Sequence, residues 1–267
     1  MKKNKINPSS DFYNCVIGEN NQKAFEIGLY AVKNNRNGDD FIHIYGEIGS
    51  GKSYLLHTIK SCYYKCNPHA NLVFATSESF CDEIVRAIRT NKFKNFRYRY
   101  LNADLLIFDD IQFLAGKEAT QQELNLIFNE RLREKRKSIV TSDVSPGLLQ
   151  RVKNLKERNN KPSPSQFYGI RSSFFRVKCL NINIISKLLE GKAIELAPPD
   201  LKFKTAMIRQ FIKISKKRIS EFTINFIAQK ISGNVASFKG KILQMITYAA
   251  FYKLKIDRDF VDYFFGQ

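Results

Sequence analysis

Gly46-Glu47-Ile48-Gly49-Ser50-Gly51-Lys52-Ser53 follows the spacing G-x-x-x-x-G-K-[ST], and the chemistry that needs such a run is phosphate binding. Glycines let successive backbone N–H groups wrap an anion, and a helix that starts there adds the positive end of its dipole. On this reading Gly46, Glu47, Gly49, Ser50 and Gly51 cradle the phosphates of ATP. Lys52 reaches the β- and γ-phosphates, and the Ser53 hydroxyl holds Mg²⁺. A second set of groups ends the apolar run Leu105-Leu106-Ile107-Phe108 with Asp109-Asp110. Asp109 is read as binding Mg²⁺ through water, and Asp110 as orienting or activating the attacking water. Asp143, after the apolar run that ends at Ser142, is placed to sense the γ-phosphate or that water.

The elements that must position these groups are short. Phe41–Tyr45, Asn71–Thr76, Leu105–Phe108 and Lys137–Thr141 read as strands, alternating with helices over about 20–33, after Gly51, over 79–90 and over 121–135. In the helix at 79–90, Phe80, Ile84, Val85 and Ile88 fall on one face. Continuous apolar strands alternating with helices predict an α/β fold with a parallel sheet covered by helices on both faces. The strand at 137–141 is expected beside those at 41–45 and 105–108. From Leu201 onward the pattern is helical, over about 201–217, 221–232 and 235–254, with a short helix after Asp257.

The 267 residues carry 44 Lys+Arg against 25 Asp+Glu, a formal charge of +19, which favours a polyanionic partner, nucleic acid before a membrane surface. Hydrophobic residues make up 43%, enough for a packed core, which excludes wholesale disorder. No apolar run approaches the ~18 residues of a membrane span, and the start lacks a signal peptide's apolar stretch, so the cytoplasm is the expected location. Five cysteines are scattered. Cys62 and Cys66 read as one buried helix face rather than as metal ligands.

Two segments concentrate the positive charge. Residues 144–185 hold eight Lys/Arg and one acid, Glu157. Residues 86–100, RAIRTNKFKNFRYRY, hold six Lys/Arg, four aromatic residues and no acid. Cations interleaved with rings suit single-stranded nucleic acid, and Arg86, Arg89, Lys92 and Lys94 are the candidate contacts. The alternative is that Phe93, Phe96 and Tyr100 are core and the arginines a solvated face. The residues alone leave both open.

The stretch Leu106–Glu118, LIFDDIQFLAGKE, resembles the second nucleotide motif of the DnaA family, bacterial chromosomal replication initiators of the AAA+ class. Asn7-Pro8, Val16–Asn21, Pro198-Pro199-Asp200-Leu201 and Gly233-Asn234-Val235 are similar to further motifs of that family, and the likeness covers nearly the whole chain. The resemblance implies an AAA+ core at 11–197 after a flexible start at 1–10, then a helical lid at 198–267. It implies adenine packing at Val16, Ile17 and Asn21, and a grip on single-stranded DNA that includes Val85 and Lys117. It also implies assembly, with further copies or with a full-length initiator.

The departures from the family shape what is expected. Lys187 stands where the family carries an arginine finger, unless the register at Arg171-Ser172-Ser173-Phe174 applies. A lysine lacks the bidentate fork, so slow hydrolysis is expected. Ala236 stands at the family's lid sensor arginine, and 144–185 is long for the family. The family's duplex-reading helix-turn-helix domain is expected to be lacking, so single-stranded DNA is expected before sequence-specific duplex. A short regulator of a full-length initiator and a non-hydrolysing nucleic-acid-binding relic remain alternatives.

Overall fold

Leu105–Asp109 is buried at every position, as a strand covered on both faces must be. This strand, β3, lies in a five-stranded parallel sheet with β1 (Phe41–Tyr45), β2 (Leu72–Thr76), β4 (Lys137–Ser142) and β5 (Lys192–Glu195), in the order β2-β3-β4-β1-β5. The expected neighbourhood of β4 between β3 and β1 is therefore observed. Its register sets Tyr45 opposite Ser142, and that of β2 sets Thr76 opposite Asp109. The C-terminal ends of four strands thus lie along one edge.

The structure, a computed structural model, describes residues 16–19, 21–33, 41–158, 176–215, 219–231, 233 and 235–266. The expectations at 1–10, at Asn20, at 159–175 with Arg171, at Asn234, and on the Ala236 side chain lie outside the described residues.

Two compact units are present. One comprises Glu26–Glu47 and Lys52–Glu195. The other comprises Leu196–Gln267, the described residues before Glu26, and Ile48–Gly51. In the first, the helices are α1 (Gln22–Lys33, which begins in the other unit), α2 (Lys52–Cys66), α3 (Ser77–Arg89), α4 (Phe93–Leu101), α5 (Glu118–Arg133), α6 (Pro146–Glu157) and α7 (Ile182–Glu190). Its core stacks Phe80 against Phe96, Tyr100 and Phe108 at 5.1–5.5 Å between centroids. Such pairs add about 0.5–1.5 kcal/mol each beyond the area they bury. Arg131, fully buried on α5, donates to the carbonyls of Tyr100 (2.8 Å), Ala103 (2.7 Å) and Lys137 (2.5 Å), satisfying the end of α4 and the start of β4.

β5 was not expected from the sequence. It is an edge strand in which only Ile194 is buried, so Lys192–Glu195 carries almost no apolar signal. Gly191 makes its approach feasible, since a Cβ there would lie 2.9 Å from the Phe41 carbonyl oxygen.

The second unit packs α8 (Leu201–Ile214), α9 (Glu221–Lys230), α10 (Val235–Phe251) and α11 (Arg258–Gly266). Asp200 caps α8 by accepting from Phe203 N–H at 2.7 Å, and Ser220 caps α9 through Thr223 N–H at 3.2 Å. Its core includes Phe203, Ile208, Ile227, Phe238, Met245 and Val261.

Candidate functional site

Gly49 and Gly51 have φ of 79° and 104°, backbone that L side chains adopt rarely, which explains two glycines within this loop. Gly49 C=O accepts from Val235 N–H at 2.7 Å, tying the middle of the loop to the start of α10. The Ser50 hydroxyl oxygen is buried and has no hydrogen-bond partner among the described residues. Phosphate oxygens would meet that need, so the loop fits a phosphate group. At the other end of the loop, Gly46 N–H donates to Ser142 C=O at 3.3 Å.

Lys52 opens α2, and its ammonium folds back onto the loop's own carbonyls, Gly46 at 2.8 Å and Glu47 at 3.0 Å. Burial pulls its pKa below the ordinary value. The charges of Asp110, Asp143 and Asp109 push it back. Ser53 is exposed on the first turn of α2.

Asp109 is buried at the end of β3, where the Thr141 hydroxyl donates to its carboxylate. Asp110 follows in left-handed backbone, φ 56° and ψ 56°. Its N–H donates to Thr141 Oγ1 at 2.8 Å, and its C=O accepts from Ser77 Oγ at 2.7 Å. Burial, then the neighbouring Asp109 charge, raises the Asp110 pKa, while the Gln112 hydrogen bond and Lys52 lower it. Gln112 Nε2 donates to Asp110 Oδ1 at 3.0 Å, and Gln112 Oε1 accepts from Asp143 N–H at 3.3 Å. The Asp143 side chain is buried and forms an ion pair with Arg176 at 3.2 Å. Arg176 also lies over the Phe113 ring, 5.7 Å from its centroid.

The structure thus places Lys52, Asp109, Asp110 and Asp143 close enough for their charges to interact. It adds Thr141, Ser77, Gln112 and Arg176. Gln112 was visible inside LIFDDIQFL, but a motif does not say what an amide touches. Arg176 is 33 residues beyond Asp143 in a segment that is basic throughout, and nothing local singles it out.

Val16, Ile17 and Asn21 lie in the second unit. Val16 joins its core, while Ile17 is exposed. Asn21 closes the turn by donating to Val16 C=O and accepting from Gly18 N–H, both at 2.9 Å. Lys187 is half-buried on α7, and burial lowers its pKa against the opposing charge of Glu190.

Arg86, Arg89, Lys92 and Lys94 are exposed on α3, α4 and the turn between them. Phe96 and Tyr100 are core, and Phe93 packs against it, which decides between the two readings of those rings. The expected common face of α3 needs correction. Phe80 and Ile84 point inward, whereas Val85 is 46% and Ile88 64% exposed. The inward face is completed by Ala87 instead, and Tyr98 on α4 is 69% exposed. Exposed Lys117 donates to Cys81 Sγ on α3 at 3.3 Å. The expected Cys62–Cys66 face is also corrected, with Cys62 buried and Cys66 exposed because α2 turns its last residue outward. Among the described residues no cluster of His, Cys, Asp and Glu has a metal-binding arrangement, and no helix is long and apolar enough to cross a membrane.

A family profile described as the bacterial DnaA ATPase domain matches residues 6–161. The chromosomal replication initiator protein DnaA of Lactiplantibacillus plantarum is 30% identical over 249 residues, 93% of this chain and 49% of that protein. The chain therefore spans about half the length of that relative. Domain III of the Thermotoga maritima replication initiation protein DnaA superposes with a TM-score of 0.77 at 25% identity, over 97% of this chain and 96% of that one. A replication initiator DnaA bound to AMPPCP and single-stranded DNA superposes with a TM-score of 0.68 at 23% identity, over 95% of this chain and 77% of that one.

Proposed function

The chain belongs to the bacterial DnaA ATPase-domain family, an AAA+ fold, and from that premise we propose that it binds ATP with Mg²⁺, hydrolyses it slowly, and acts in the initiation or regulation of DNA replication. The observation that carries this reading is the convergence of one lysine and three carboxylates at the ends of β1, β3 and β4, close enough for Lys52 to feel all three charges.

Each group has a role that its surroundings support. Lys52 exchanges the carbonyls of Gly46 and Glu47 for β- and γ-phosphate oxygens. Ser53 and Asp109 would hold Mg²⁺, which when bound neutralises charge on the phosphates. Thr141 fixes the Asp109 carboxylate for that task. Asp110, desolvated and beside a second carboxylate, is the group that orients and deprotonates water. Asp143 senses the phosphate from the end of β4. Val16, Ile17 and Asn21 contribute to adenine packing. Lys187 offers a neighbouring subunit a point charge rather than an arginine fork, so turnover is slow even on assembly with further copies or a full-length initiator.

The second part of the reading is a single-strand face on α3 and α4. Exposed Val85, Ile88 and Tyr98 supply apolar and stacking surface among Arg86, Arg89, Lys92, Lys94 and Lys117. The relative bound to AMPPCP and single-stranded DNA has the same fold. This activity belongs in the bacterial cytoplasm. Titration with a fluorescent ATP analogue, with and without Mg²⁺, tests the nucleotide site. Asp109→Ala is expected to abolish the Mg²⁺-dependent gain in affinity, and a gain unchanged in that variant contradicts the assignment.

A further inference from the structure

Asp110 needs two kinds of control to act on water: a fixed main chain and a fixed carboxylate rotation. The main chain is held without Gln112. Thr141 Oγ1 takes the Asp110 N–H at 2.8 Å and Ser77 Oγ donates to its C=O at 2.7 Å, which together pin a left-handed residue. The carboxylate is held by Gln112, a residue 2% exposed on the 3₁₀ turn Ile111–Leu114 directly after Asp110.

The amide can face only one way. Asp143 N–H is a donor, so Gln112 must turn its oxygen towards it at 3.3 Å. Its NH₂ group then faces Asp110 Oδ1 at 3.0 Å, the polarity an ionised carboxylate requires. A residue with oxygens at both ends would repel Asp110, and an apolar one would leave both partners unmatched. The groups around Asp110 are Asp109, the last residue of β3, Lys52 from α2, and Asp143, itself paired with Arg176.

We propose that Gln112 is a positioning residue that aims the Asp110 carboxylate and couples it to the turn after β4, so that the water-orienting and phosphate-sensing aspartates move as one unit. The inference deepens the hydrolytic reading of Asp110 and rests on it.

Gln112→Leu removes both hydrogen bonds. Gln112→Glu keeps the acceptor for Asp143 but sets an anion against Asp110. Both variants are expected to keep the wild-type KM for ATP within about twofold while kcat falls tenfold or more, because a misaimed catalytic group costs rate rather than binding. In the Asp110→Asn background Gln112→Leu should lower kcat no further, since the group it aims is gone. Amide hydrogen exchange provides a readout that does not depend on turnover. Asp143 N–H should exchange faster in Gln112→Leu and stay protected in Gln112→Glu, while Asp110 N–H, held by Thr141, is unchanged in both. Unchanged kcat, or accelerated exchange at both amides together, overturns the proposal by reducing Gln112 to a packing residue. Wild-type turnover in Asp110→Asn would instead overturn the reading of Asp110, and the exchange at Asp143 would still judge the coupling.

Discussion

Arg176 brings its guanidinium within 3.2 Å of the Asp143 carboxylate, two residues separated by 33 positions in sequence and joined at the end of β4. The carboxylate is buried and the arginine largely so, which makes the pair stronger than a surface ion pair and its halves costly to leave alone. A double-mutant cycle of Arg176→Ala and Asp143→Ala, read by urea unfolding, should give a coupling of about 1–3 kcal/mol. The double variant should be more stable than the sum of the single losses allows. Additive losses would mean that the contact contributes nothing.

His43 is buried in β1, with Nε2 2.8 Å from Ser142 Oγ, and burial lowers its pKa from the ordinary 6.5 to about 4. The unfolded chain therefore takes up a proton below about pH 6.5 that the folded chain does not accept until about pH 4. Stability from this group is present above pH 6.5 and is lost as pH falls towards 4, by up to about 3 kcal/mol. His43→Gln should flatten that part of the stability–pH curve in urea melts at pH 4–7. An unchanged slope would show that other groups set it.

Arg131 donates to four main-chain carbonyls, those of Tyr100, Leu101, Ala103 and Lys137. Arg131→Leu should cost at least about 3 kcal/mol in urea unfolding, since each orphaned buried group costs about 1–3 kcal/mol. It should also loosen the turn at 101–104, seen as faster amide exchange there.

The parts of the site that could be read from sequence are those carried by neighbours along the chain. Gly46–Ser53 is a phosphate-loop pattern written in consecutive residues, and Asp109-Asp110 end a strand whose apolar run announces it. The fold class followed from the same local patterns, so β1 to β4 were legible, as was the place of β4 beside β1 and β3. What was not legible depends on distant contacts. Thr141, Gln112 and Arg176 acquire their meaning only when β3, β4 and the turns after them meet. β5 is an edge strand with one inward residue. Val85 and Ile88 fit the apolar stripe of α3 by periodicity, yet the small Ala87 takes the inward position, and the two larger side chains are left facing solvent.

If α3 and α4 form the proposed single-strand face, two separable effects follow. Neutralising Arg89 and Lys92 together should reduce the salt dependence of single-stranded DNA binding by about 1.4 in log–log slope, as expected for two lost phosphate contacts at ~0.7 each. Tyr98→Ala should instead weaken binding by about 1–3 kcal/mol with little change in slope, the signature of a lost stacking partner. Filter binding over a salt series distinguishes them, and equal slopes in all variants would place the contact elsewhere.

Nucleotide binding by the loop that leads into Lys52 is tested most directly by ATP affinity, measured by isothermal titration of the wild-type chain and Lys52→Ala in Mg²⁺. Lys52 sits among three carboxylates and the loop carbonyls, so its removal leaves the phosphates facing uncompensated negative charge. The expected result is saturable binding by the wild type and a loss of about a hundredfold or more in the variant, close to 2.7 kcal/mol. Equal affinity in the two proteins would mean that Lys52 does not meet the phosphates.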